Sequence, residues 1–448
     1  MKSCLPRRAT LTGWSLTLPS STEKVVIHTE DAPTAIENRR GFIVRGAGRS
    51  YGDCASLRDG QTLELVDTSI AVDPQGVLSV TANATVGDVL EYSVPRGWFL
   101  PVTPGTSHAT MGGLVASDAH GKNHHHNGSL GRHIMELKIV DASGTVVTAS
   151  RSENTDLFLA TIGGMGLTGV ILQIAVQMTK IETSLMEVTH SKHSDMDSLM
   201  AAMLENDDAF EYSVAWVDMS TYGNKAGRGL LSRGKHLKLA DLPAEERGNP
   251  LKYSRPPVRN LPVRPPCKII NRATTWAFNK LWYHKFHGKN KTGPEDLNSF
   301  FYPLDKVTNW NKAYRRGVLQ YQFVVPHRAT EVLREVARLF MRDKCPIFLV
   351  VLKQMGDEGE GLLSFPLKGW TLAVDVPADH KGILDLLDKA DQLVAAAGGR
   401  VYLAKDSRIN YRHIPTMYPR LPEFKEIQRA HDPEGRIRSD MARRLRLC

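Results

Sequence analysis

The sequence has no apolar run long enough to cross a bilayer, which takes about 20 residues; its longest, such as Pro346–Leu352, are strand-sized. Cysteine is scarce: Cys4, Cys54, Cys267, Cys345 and Cys448 are an odd, scattered set with no CxxC spacing. That excludes a disulfide framework and argues against structural zinc. An apolar leader is also missing, because Arg7 and Arg8 fall where a signal peptide needs its core, so the expected location is cytoplasmic. There is no internal repeat. Hydrophobic residues at 42% and charged residues at 23% are ordinary globular values, which exclude a disordered, collagen-like or coiled-coil protein. A length of 448 residues suggests two or three domains.

Acidic residues are outnumbered, but locally. Between Lys225 and Lys291 there are 16 Lys/Arg against Asp241, Glu245 and Glu246, while the whole chain carries only +9. Such a segment is a footprint for something anionic: nucleic acid, a membrane surface or a phosphorylated substrate. Six of the 24 prolines lie in 250–266 of this segment. The pattern predicts a long mobile surface loop over about 223–295, without a central strand or helix.

Elsewhere the periodicities are clear. Strands are predicted at 25–29, 42–46, 62–67, 77–82, 136–142 and 169–178. A helix is predicted from an N-cap at Thr85 to Val94, and another through Ile162 from a similar capping signal in SENTDLF. Further on, strands at 211–219, 318–326, 347–353 and 370–377 alternate with helices at 329–343 and 382–398, which suggests a sheet covered on one face.

Four segments offer chemistry. GFIVRGAGRSYGD (41–53) follows a strand with Gly46, Gly48 and Gly52; its backbone could form an anion nest or a plain turn. It is not a Rossmann fingerprint, since the spacing is GxGxxxG and no helix follows. GGMGLTG (163–169) does match GxGxxG, but helix precedes and strand follows, the reverse of a Rossmann loop, so a helix-to-strand turn is expected. In the loop at 102–131, His120, His124, His125 and His126 invite a metal reading. Adjacent histidines cannot all converge on one ion and no carboxylate or thiolate has helpful spacing, so no metal is expected and the segment reads as a cofactor-contacting or solvated loop. RVYLAKDSR (400–408) places Tyr402 and Lys405 after a Gly-Gly turn. Near a flavin that lysine would stabilise the reduced form.

Taken together, VRGAGRSYGD, VTPGTSHATMGG, AHGKNHH, GGMGLTG, LQYQF, VYLAKDSR and SDMARRL resemble the decaprenylphosphoryl-β-D-ribose 2-oxidases, within the vanillyl-alcohol-oxidase-type FAD superfamily. The resemblance runs from about residue 12 to 447 and is weakest in 223–295. It implies an α+β chain: a PCMH-type FAD-binding domain of two α/β subdomains (1–184), a substrate domain with an antiparallel sheet covered by helices (185–399), and a C-terminal segment returning to the FAD domain (400–448).

The resemblance also assigns residues. Val44, Arg45, Gly46, Ala47, Gly48, Arg49, Ser50, Tyr51, Gly52, Asp53 and Cys54 form the pyrophosphate segment. Gly105, Thr110, Met111, Gly112, Gly113, Ser117, Asp118, Ala119, His120, Ile171 and Tyr402 are the other FAD positions. Covalent members carry a His where this chain has Arg49, so the FAD is expected to be non-covalent. Trp216, Phe301, Gln320, Gln322, Lys353, Thr371 and Lys405 are expected at the substrate. Phe301 and Thr371 stand where mycobacterial members have tyrosine and asparagine. Ala373 replaces the cysteine those members offer to covalent inhibitors, so thiol-directed compounds should not trap this chain.

The implied reaction is oxidation of the C2 hydroxyl of a prenylphosphoryl-β-D-ribose to a 2-keto sugar, the first half of an epimerisation to arabinose for cell-envelope polysaccharide, completed by a short-chain reductase. Lys405, His120 and Tyr51 are the candidate acid–base groups, and the sequence does not rank them. Gln320 and Gln322 flank Tyr321 on one strand face and suit sugar hydroxyls. The basic segment, with Trp276, Phe278, Trp282, Tyr283 and Phe286, suits peripheral contact with the inner face of a membrane or remains a solvated loop. An oxidase of a free alditol or aldonolactone is the alternative. Nucleic-acid binding is not expected, because no such motif is present.

Overall fold

A computed structural model describes residues 6–37, 39–221, 223, 226–242, 244–285 and 290–448; Cys4, Lys225 and Phe286 lie outside these. Among the described residues the chain builds three main sheets. The first is mixed and four-stranded, in the order Arg7–Leu11, Ser20–Ile27, Gln61–Leu65, Phe42–Val44, with parallel pairing around Gln61–Leu65. The second is antiparallel and five-stranded, in the order Ile70–Val72, Val77–Thr81, Val170–Gln177, Ile134–Val140, Val146–Ser150. The third is antiparallel and eight-stranded: Asn290–Asp296, Leu185–His193, Gly229–His236, Tyr212–Val217, Val350–Met355, Gly369–Pro377, Val318–Pro326 and Arg400–Val401. The architecture is α+β.

Local signals explain most element ends. The Val86–Ser93 helix opens on a capping box: Thr85 accepts from Asp88 N–H, and the Asp88 carboxylate accepts from Thr85 N–H. Gly97, at φ +80, ends the turn that follows. The Thr155–Thr161 helix departs from expectation. It starts at Asn154 with no side-chain cap, because Ser152 bonds back to Ser150 instead. GGMGLTG makes a helix-to-strand turn, with Gly163, Met165, Gly166 and Gly169 all at positive φ.

The largest correction concerns 223–295. Gly229–His236 is an interior strand of the large sheet, Arg272–His284 is a three-turn helix capped by Asn271, and Asn290–Asp296 is an edge strand. These were missed because neither strand alternates cleanly. One face of Gly229–His236 lines a cavity through Leu230 and Ser232, and the edge position of Asn290–Asp296 tolerates Gly293 and Pro294. Within the proline-rich 250–266 stretch the only strand is the two-residue Arg259–Asn260.

The C-terminal segment crosses back. Ile437 bridges Phe42, Asp440 accepts from Ser20 and from Arg58 N–H, and the Leu421–His431 helix packs on Thr155–Thr161. In the large sheet, helices Thr330–Asp343 and Ile383–Ala396 cover one face, with Tyr321 buried beneath them. The other face turns toward the two smaller sheets across one deep cavity.

Candidate active site

The cavity has a volume of about 1260 Å³ and runs from the Val44–Cys54 loop to Lys405. The loop leaves the Phe42–Val44 strand and is held by its backbone: Tyr51 N–H donates to Ala404 O, and Trp14 N–H to Ser50 O. Arg45 is spent on the same task, donating to Thr12 O and Ala55 O. Gly48 sits at φ +63, and a Cβ on Gly52 would stand 1.8 Å from Asp406 O. The loop therefore closes on the 402–406 turn only because side chains are absent. Arg444 fastens the two from outside, bridging Asp53 and Asp406 at 2.8 Å each. Thr110 caps Met111–Ala116, accepting from Gly113 N–H, and sets Gly112 and Gly113 on the same wall.

The opposite wall is the row of the large sheet that faces the cavity. Register places Gln320 opposite Asp375, Gln322 opposite Ala373, Ala373 opposite Val351, Thr371 opposite Lys353, and Trp216 opposite Val351. His120 stands between the two walls. Its Nδ1 lies 3.0 Å from Lys353 Nζ and its Nε2 lies 3.0 Å from the Gln322 amide. Burial, helped by Lys353, holds this imidazole well below its usual value, so it is neutral. A neutral ring accepts on one nitrogen only. The Gln322 amide nitrogen donates to Nε2, so the ring proton sits on Nδ1 and faces Lys353 Nζ, which accepts it as a neutral amine. Lys353 is itself pushed down to about 7 by burial, with Lys122 and Lys405 adding repulsion.

Lys405 lies over the Tyr51 ring, 4.5 Å from its centroid. Burial lowers its pKa, and the facing Asp375 opposes that; burial in turn raises Asp375. Gln320 ties the group together, donating to Tyr51 Oη at 3.1 Å and to Asp375 Oδ1 at 2.5 Å. Tyr51 is held well above its ordinary value by burial and by Asp375. Tyr402 donates to Ser117 O and stacks on Phe365 beside His120. Trp216 donates its indole N–H to Phe348 O, and Phe301 packs against Tyr212 and Phe99.

Most of the expected residues reach the cavity wall, and four do not. Asp53 turns its carboxylate to Arg444. Met111 is fully buried in the core. Asp118 accepts from Ser129, Ser364 and Gly131 N–H, bracing the His120 loop from behind. Thr371 lies behind Gln322, 3.3 Å from its amide nitrogen.

A dinucleotide fits this cavity. Arg49 Nε and His108 Nε2 line it, buried and without a hydrogen-bond partner, beside a loop stripped of side chains. Those unpaired donors suit a phosphate-bearing group.

The chain matches the FAD binding domain family over residues 18–150 and the D-arabinono-1,4-lactone oxidase family over 325–445. It is 36% identical to the decaprenylphosphoryl-beta-D-ribose oxidase of Mycolicibacterium smegmatis, over 98% of this chain and 97% of that protein. The chain belongs to the decaprenylphosphoryl-β-D-ribose oxidase family. An uncharacterized protein of Streptomyces coelicolor is also 36% identical, over 81% of this chain and 100% of that protein. The L-gulonolactone oxidase of Mus musculus is 28% identical over only 36% of this chain and 38% of its own length. The protein is thus an FAD-dependent oxidoreductase.

Sequence reasoning missed Asp375 and Lys122 on this decaprenylphosphoryl-ribose-oxidase scaffold. Asp375 is wholly buried and shares a strand face with Thr371 and Ala373, so period-two counting from those residues would have found it. Lys122 lines the cavity two residues past His120, donates to Phe300 O and is pushed down to about 7 by burial. The His190–Glu295 pair, 2.7 Å apart, had no sequence signal, since 105 residues separate its members.

Proposed function

We propose that the protein oxidises the C2 hydroxyl of a prenylphosphoryl-β-D-ribose to the 2-keto sugar. The carrying observation is near-full-length similarity to a decaprenylphosphoryl-ribose oxidase, together with a cavity wall of paired glutamines, Lys353 and Lys405. Bound FAD would supply the acceptor for the sugar's hydride. Arg49 in the first loop, and a Cys54 thiol pushed up to about 11 by burial, support non-covalent binding.

In this proposal the protein's part is to hold the sugar and take its proton. Gln320 and Gln322 orient the hydroxyls. Lys405 is the base: burial supplies a neutral fraction, and Asp375 stabilises the ammonium formed when the hydroxyl proton arrives. Both His120 nitrogens are already engaged, and Tyr51 is too weakly acidic to be an anion at neutral pH. His120 and Lys353 then position, while Lys122 gives the cavity a further cation for an anionic substrate.

The lipid half of the substrate has a place at the mouth. Phe278, Trp282 and Lys285 line it, and Trp276 and Leu281 stand exposed on the same helix, Leu281 at 74%. Basic and aromatic residues together suit the inner face of an anionic membrane, roughly 1 kcal/mol per cation near the surface. Among the described residues, no helix is long and apolar enough to cross a membrane. A short-chain reductase returning hydride to the 2-keto product would complete epimerisation. Anaerobic mixing with a short-chain prenylphosphoryl-ribose should bleach the flavin absorbance, with free ribose, xylitol and gulonolactone leaving it unchanged. Bleaching by a free polyol alone would replace this reading with an alditol-oxidase one.

A further inference from the structure

The histidine run holds a second cluster, separate from the oxidation chemistry. His125 and His126 lie on the short His124–Asn127 helix, and the chain brings Asp207 to them from the turn Asp207–Ala209. One ligand atom from each of the three side chains lies within 4.8 Å of the others. The expectation of no metal rested on adjacent histidines failing to converge all together and on the lack of a nearby carboxylate; here only two of the run take part, and Asp207 is the carboxylate, delivered across more than eighty residues of sequence.

The His125 side chain is only 2% exposed, yet neither of its ring nitrogens makes a hydrogen bond of good geometry, although the Phe210 backbone lies close enough to act on the ring. Asp207 Oδ1 is buried and equally unpaired. The two face each other at 3.5 Å, too long for a good hydrogen bond. That separation matches the edge between two ligands each about 2.1 Å from a tetrahedral zinc ion. His126 is exposed, and its Nε2 already reaches Asp207 O at 3.3 Å. Its ring centroid is 4.2 Å from that of His125. Leaving buried imidazole and carboxylate atoms unpaired is costly, and a cation would satisfy both together.

We propose that His125, His126 and Asp207 form a binding site for a divalent transition-metal ion, zinc being the best match to two imidazoles and one carboxylate, with water in the fourth position. The ion would tie the loop carrying His120 and Lys122 to the large sheet. That link exists in outline already: Ser213 N–H, six residues past Asp207, donates to Lys122 O at 2.9 Å. The site is a structural clamp placed just behind the active-site loop.

The test uses untagged FAD-loaded protein, stripped with a chelator and titrated with zinc against a chromophoric competitor, with thermal unfolding alongside. One equivalent of zinc should bind and raise the unfolding midpoint. Asp207→Asn and His126→Ala should each weaken binding on the order of tenfold or more while retaining bound flavin, since His126 is exposed and asparagine keeps the shape of Asp207. Undiminished zinc uptake in both variants would overturn the site, as would no uptake by the parent protein. Asp343, Cys345 and His380 form another group of possible ligands. Binding abolished by Cys345→Ser but not by Asp207→Asn would place the ion there and refute the proposal.

Discussion

Along the Val44–Cys54 loop the chain presents backbone to the cavity, with Gly48 at positive φ and Gly52 pressed on Asp406 O. Across the same cavity the eight-stranded sheet presents side chains: Gln320, Gln322, Lys353 and Trp216 arrive from three different strands, locked in register. One wall binds by omission and the other by placement. The first tolerates almost no addition. The second holds its groups through strand pairing, so it depends on register more than on the size of any one side chain.

Substitutions on the two walls should fail in different ways. The largest effect is expected from Lys405→Met, which should lower the rate of anaerobic flavin reduction by about 10²–10³-fold while FAD remains bound. Stopped-flow reduction and flavin content check it; loss of flavin with Lys405→Met would erase the contrast between the walls. Gly52→Ala should do the reverse. Its methyl group must displace the Asp406 backbone, costing about 1–3 kcal/mol, and the protein should lose FAD in the flavin-to-protein absorbance ratio. Full flavin retention there would mean that the loop yields.

A smaller change, roughly tenfold in kcat, is expected from Asp375→Asn. Its signature is the pH profile. The Asp375 anion favours the Lys405 ammonium and so raises the lysine's pKa; without it, neutral Lys405 appears at lower pH. The rise of kcat/KM with pH should therefore move to the acid side in the variant. An unmoved profile would remove Lys405 from the role of base.

The sequence made the glycine wall legible, because glycines in a fixed order after a strand state a backbone requirement directly. It also made the two sugar-facing glutamines legible, since alternation along one strand places both on one face. Asp375 was within reach of the same counting. The histidine run was visible but could not be interpreted: its spacing alone says nothing of a carboxylate 81 residues later.

What the sequence determined by itself is local and periodic: the capped Val86–Ser93 helix, the Val318–Pro326 strand to the residue, the GGMGLTG turn and the likeness of its motifs to one oxidase family. Capping, alternation and glycine conformation act over a few residues, so a few residues encode them. Tertiary structure decided the rest. It made Gly229–His236 an interior strand despite its polar residues, because cross-strand pairing and a lined cavity replaced the usual apolar face. It turned Asp53 from the cavity to Arg444, brought His125 to Asp207, and set Lys405 within the field of Asp375. Those pairings arise from strands and loops far apart in the chain, and the burial that shifts Lys405, Asp375 and His125 exists only once the sheets have closed over them.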